Sequence, residues 1–132
     1  MPSFDKNEIK AYLEQLVTAT QKGSMSWLEV NPTTYSWDTA KPISARLTVQ
    51  LVTRQIPSRQ PSGQITIRQT KGYLFQAVEI QRTGQKVRLS VNGIDDEELN
   101  AQLEILYEAI ASRVTEQSLD FLKSILPPKD AV

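Results

Sequence analysis

Apolar residues along this chain change their period twice, and each change marks a different kind of element. Ile9, Tyr12, Leu13, Leu16 and Val17 recur three or four residues apart, the spacing of one helical face. A polar start at Ser3 and Gly23 after the last turn bound a predicted amphipathic helix over 4–22, with Tyr12 and the leucines turned to the core. From Ala45 the period becomes two. Leu47, Val49 and Leu51 alternate with Arg46, Thr48 and Gln50; Ile65 and Ile67 with Thr66 and Arg68; Val87, Leu89 and Val91 with Arg88 and Ser90. Such alternation predicts half-buried antiparallel strands. Two short strands are also expected around the turn signal Asn31-Pro32.

The segment IPSRQPSG, 56–63, reads as a polar, proline-containing loop between the first two long strands. YLFQAVEI, 73–80, does not alternate cleanly, so its register has to come from the flanking turns. Hairpin loops at Lys71-Gly72 and Thr83-Gly84 would place residue 65 opposite 78, 67 opposite 76, 78 opposite 89 and Glu79 opposite Arg88. On that register Ile65, Ile67, Leu74, Val78, Ile80, Val87, Leu89 and Val91 share the core face, with Gln76 among them. The opposite face then carries Arg46, Arg68, Tyr73, Phe75 and Arg88.

Asn92-Gly93 ends the alternation, and DDEELNAQLEILYEAI, 95–110, restores the helical period with Leu99, Leu103, Leu106 and Ile110 as its buried stripe. Four acids at its start sit where the positive end of the helix dipole favours them. An unbroken helix over 95–126 would be about 48 Å long, more than the roughly 36 Å diameter of a compact chain of this size. Either it breaks near 112–115, or its end projects with Leu119, Leu122, Ile125 and Leu126 and packs on a second subunit, before Pro127-Pro128 stops it. The fold class expected is α+β: an N-terminal helix, an antiparallel meander of four to six strands, and a long or broken C-terminal helix packed on one sheet face. No internal repeat or second domain is visible, so 1–132 reads as one domain.

Composition narrows the chemistry. The chain has no cysteine and no histidine, which removes disulfides, thiol catalysis, the commonest general base and the preferred ligand of zinc and copper. No apolar stretch is long enough to span a bilayer and no secretory leader precedes the first helix, so a cytoplasmic protein is expected. No Gly-rich phosphate loop, nucleophile elbow or metal-binding motif occurs. Consecutive carboxylates in Asp95–Glu98 point about 100° apart on a helix and do not converge on one ion. The expectation is therefore a non-enzyme without cofactor or metal. An enzyme using only Asp, Glu, Lys, Ser or Tyr is the least favoured reading.

Trp27, Tyr35 and Trp37 lie within SMSWLEVNPTTYSWD, 24–38. Large rings supply much of the burial in a small domain, so they are expected to cap the core where the first helix meets the sheet, with indole N–H groups bonded to nearby carbonyls. The charge balance is zero overall but uneven: residues 41–92 carry +8, residues 93–132 carry −6 and residues 1–40 carry −2. A basic middle between acidic ends offers complementary surfaces within one sequence. The function expected is protein association, as homodimer or adaptor, through Arg46, Arg68, Tyr73, Phe75 and Arg88. The alternative is single-stranded nucleic acid, with the cations on phosphates and the rings on bases.

Overall fold

A computed structural model describes residues 5–39 and 45–127. The N-terminal helix α1 (Lys6–Gln21) is followed by five strands, β1 (Leu28–Asn31), β2 (Thr34–Asp38), β3 (Ala45–Arg59), β4 (Ile65–Gln81) and β5 (Gly84–Asn92). A short 3₁₀ turn (Gly93–Asp95) leads into the C-terminal helix α2 (Glu97–Ile125). The strands form one antiparallel sheet in chain order, β1-β2-β3-β4-β5. This is the α+β meander the periodicities predict, with both helices on one sheet face.

Cap chemistry explains the helix starts. Asp5 accepts a hydrogen bond from the Asn7 amide, so α1 begins there; the expected start at Ser3 lies outside the described residues. Asp96 caps α2 by accepting from the Glu98 and Leu99 amides, and Glu97 and Glu98 occupy its first turn. Lys6 and Lys10 of α1 reach across to Asp96 and Glu98 at 3.0 Å each, tying the two helices at their N-terminal ends. Leu13 and Val17 are buried as expected, but Tyr12 is 63% exposed. It lines an open cleft between α1 and the sheet together with Leu16, Leu47 and Leu89.

The core lies between the helices and the inner sheet face. Tyr35 and Trp37 of β2 stand opposite Val49 and Leu47 of β3, which stand opposite Phe75 and Ala77 of β4, which stand opposite Val91 and Leu89 of β5. Leu99, Leu103, Leu106 and Ile110 of α2 cover that row, and the last three are fully buried. Trp27 is buried beside it and donates from Nε1 to the Thr20 hydroxyl at 3.0 Å. The aromatics are thus structural; the partner of that indole is a hydroxyl rather than a carbonyl.

The meander differs from the expected register at both of its turns. Lys71-Gly72 is not a hairpin loop: β4 runs straight through it, and the chain reverses at 60–64 instead. The first half of the segment expected to be a loop, Ile56–Arg59, is the end of β3. Gly72 serves close approach rather than turning, since a Cβ there would stand 2.3 Å from Cγ1 of Ile94. Asn100 of α2 fits beside it and accepts from the Tyr73 amide at 3.0 Å, completing β4 where β5 has ended. The next turn is Arg82-Thr83, one residue earlier than expected, and a bulge leaves Arg88 without an opposite residue between Ala77–Leu89 and Val78–Val87. Leu89 and Val91 therefore face the core as expected, while β4 is inverted: Tyr73, Phe75 and Ala77 point inward, and Leu74 and Gln76 outward; Val78, opposite Arg46, is buried as expected at 9% exposure but outside the main core cluster. Two aromatic rings bury more apolar area than the aliphatics they displace, which favours this face.

α2 is continuous over 29 residues, about 43 Å. Its fully buried positions end at Ile110 and its contact with the core at Val114, so about three turns run past the core. Of the two alternatives for this helix, projection is the one observed. Pro127 follows its end; Pro128 is outside the described residues.

Candidate interaction surfaces

Three features stand out once the core is assigned: the outer sheet face, the ends of β3 and β4, and the end of α2. On the outer face Arg46 bonds Asp38 through Nε at 2.8 Å and Nη2 at 3.4 Å, which holds the Asp38 carboxyl below the usual carboxylate range. Arg88, at the bulge, forms a close ion pair with Glu79, which alternates with Ala77 and so does not share the outer face where it was expected; Lys86 is the residue opposite Glu79 in the ladder. Gln76, expected among aliphatics, is half-buried on the outer face near the Ser90 hydroxyl at 3.5 Å.

Tyr73 and Phe75 are not on it. Phe75 is 4% exposed beneath α2, and the Tyr73 ring lies 5.1 Å from that of Tyr107 on α2. Burial raises the Tyr73 phenol above its usual value, helped by Glu104 and Glu108. Arg68 lies far out on β4. The five residues expected to form one site are therefore divided: two packed beneath α2, two in separate exposed ion pairs, and one on a projecting strand. The ring stacking required for a single-strand nucleic-acid platform has no ring on that face among the described residues.

The ends of β3 and β4 leave the sheet. β2 pairs β3 only as far as Gln50, and β5 pairs β4 only as far as Leu74, whereas β3 and β4 continue together from Thr53–Lys71 to Arg59–Ile65. Seven further pairs at about 3.3 Å per residue make a two-stranded arm about 23 Å long. Except for half-buried Ser58 and Thr70 its residues are exposed, Ile56, Ile65 and Ile67 among them. Residues 53–71 contain Arg54, Arg59, Arg68 and Lys71 and no acid, so the arm carries +4 and the rest of the neutral chain −4. Arg54 reaches Asp95 at 3.5 Å; Arg59, Arg68 and Lys71 have no carboxylate within 4 Å among the described residues.

The end of α2 is the third feature. Leu119, Phe121, Leu122, Ile125 and Leu126 are all 45% or more exposed. At 100° per residue they and Val114 occupy an arc of about 160°, while Arg113, Glu116, Asp120 and Lys123 take the other side. A groove of about 500 Å³ runs between this segment and the sheet edge, lined by Trp27, Leu28, Val114, Ser118, Phe121 and Leu122 among others. β1, at that edge, exposes Leu28 and Val30. A smaller cleft of about 180 Å³ opens between α1 and the inner sheet face, with Tyr12, Leu16, Leu47 and Leu89 among its apolar lining.

The described residues hold no group of three or more acidic side chains placed to bind a metal ion, and none of their helices is long and apolar enough to cross a membrane. Sequence reading located the stripe on α2 but missed the arm, because the true turn at 60–64 was absorbed into a longer expected loop. No family model matches the chain, nor does any of the curated proteins or solved structures.

Proposed function

We propose that this protein is a non-enzymatic, cytoplasmic binding domain that acts by protein association, and that its first partner is a second copy of itself. The observation that carries this reading is the projecting half of α2. An apolar arc of about 160° is the width of a stripe that packs against a core, yet from Leu119 onward it lies beyond the core and is exposed. A helix segment of about three turns gains little stability from propensity alone and is stabilised chiefly by packing of its apolar face. The charged residues of the segment all lie on the far side, so the face offers nothing to a charged ligand and is complementary to another apolar helix face. Two copies meeting through the same surface make an isologous pair, the commonest arrangement of small homo-oligomers. Exposed Leu28 and Val30 at the β1 edge enlarge that surface. Arg46 and Arg88 are then held in exposed ion pairs, with Phe75 and Tyr73 supporting the fold beneath α2.

Light scattering on a size-exclusion column tests this. Wild-type protein should run as a dimer at micromolar concentration, and Leu122→Glu/Ile125→Glu should run as a folded monomer. A wild-type monomer at all concentrations, or a dimer that survives both substitutions, would overturn the reading.

A further inference from the structure

The β3–β4 arm carries a separate inference, independent of the surface on α2. We infer that the arm is a DNA-binding ribbon that enters the major groove of a B-form duplex. Three observations point to that partner.

Shape comes first. The major groove is about 12 Å wide and admits a two-stranded β-ribbon. The arm is such a ribbon, free of neighbouring strands on both sides for seven residue pairs. Its strands are about 4.8 Å apart before side chains are added, and its length of about 23 Å covers roughly seven base pairs at 3.4 Å each.

The placement of charge comes second. Residues opposite one another in the ladder share a face, so Arg59 and Lys71 lie on the face continuous with the inner sheet surface, while Arg68 lies on the other with Arg54. A flat acidic protein surface would meet one face of the ribbon. A groove presents phosphates along both walls, and cations on both faces match it. The −4 carried by the rest of the chain disfavours any other approach to DNA, leaving the arm as the contact.

Third is what lies between the cations. Gln55 and Gln69 stand opposite each other, exposed, on the face bearing Arg59 and Lys71, and Ile67 and Ile65 follow toward the tip. Side-chain amides bond adenine edges in the major groove, and apolar side chains contact thymine methyl groups. Pro57 in β3 lacks the N–H that a further strand would use, which opposes a role for that edge in strand addition.

Fluorescence anisotropy with a labelled duplex, and with one of its strands alone, tests the inference on the intact protein. Three phosphate contacts from Arg59, Arg68 and Lys71 give a log–log salt slope of about −2.7, so affinity for the duplex should fall about 40-fold between about 50 and 200 mM salt. Arg59→Gln/Arg68→Gln/Lys71→Gln should abolish most binding and flatten the slope, while Arg82→Gln/Lys86→Gln, at the far end of β4, should leave both unchanged. Unchanged far-ultraviolet circular dichroism would establish that the triple variant is folded. Absence of binding at low salt, equal or tighter binding of the single strand, or a triple variant that binds like wild type would overturn the inference. So would a triple variant that loses only self-association, since the arm would then be a protein contact.

Discussion

The hydrogen bond between Trp27 and Thr20 offers the most direct check on how the N-terminal helix is joined to the sheet. Thr20 is fully buried and Trp27 nearly so, and the indole N–H finds its acceptor in the Thr20 hydroxyl at 3.0 Å. Thr20→Val keeps the shape of the side chain and removes the acceptor. The indole N–H is then buried without a partner, which costs about 1–3 kcal/mol. At about 4 °C per kcal/mol for a domain of this size, Tm should fall by roughly 4–12 °C. Trp27→Phe leaves the hydroxyl stranded instead, so in that background Thr20→Val should be close to neutral. Urea denaturation of the four proteins, followed by far-ultraviolet circular dichroism, gives the coupling energy directly. A cost of Thr20→Val that is the same in both backgrounds would show that the two side chains do not interact, and the account of this corner of the core would fail.

Other consequences follow from the register and the charges. Gly72→Ala should destabilise by about 1–3 kcal/mol in chemical denaturation, because the new methyl overlaps Ile94 and displaces the start of α2; a neutral result would mean that α2 is not seated on β4. Leu89→Asp should unfold the protein or lower Tm by well over 10 °C, whereas Ser90→Asp, on the outer face, should change stability by less than about 0.5 kcal/mol; the reverse pattern would show β5 to be inverted. Stability should also decline at both extremes of pH. Burial raises the phenols of Tyr35, Tyr73 and Tyr107, so their contribution is complete below the ordinary tyrosine value of about 10 and is lost as pH rises through the higher folded values. Hydrogen bonds from Lys6 and Lys10 lower Asp96 and Glu98, whose contribution is present above ordinary carboxylate values and lost as pH falls through the depressed ones. Tm measured from about pH 2 to 11 checks both signs, and Tyr107→Phe should soften the alkaline decline.

Period and cap chemistry made the helices legible in the sequence. The stripe Leu99, Leu103, Leu106 and Ile110 is a local property of a helix, and all four residues are buried as their spacing requires. Alternation likewise identified the strands, and Leu47, Val49, Leu89 and Val91 took the inner face because period two leaves only two choices. The choice for β4 could not be made locally. Gly72 has the composition of a turn, but its role is set by Ile94 and Asn100, more than twenty residues away, which need the space a side chain would fill. The extra residue at Arg88 then lets Phe75 face Val91 instead of the outer surface. These two features moved Tyr73 and Phe75 from an expected binding face into the core. Length and charge in the sequence raised the question of a projecting helix and a basic middle. Tertiary structure alone decided that the projection is real, and that much of the positive charge lies on an arm, because a strand pair reveals where its neighbours end only when the whole sheet is assembled.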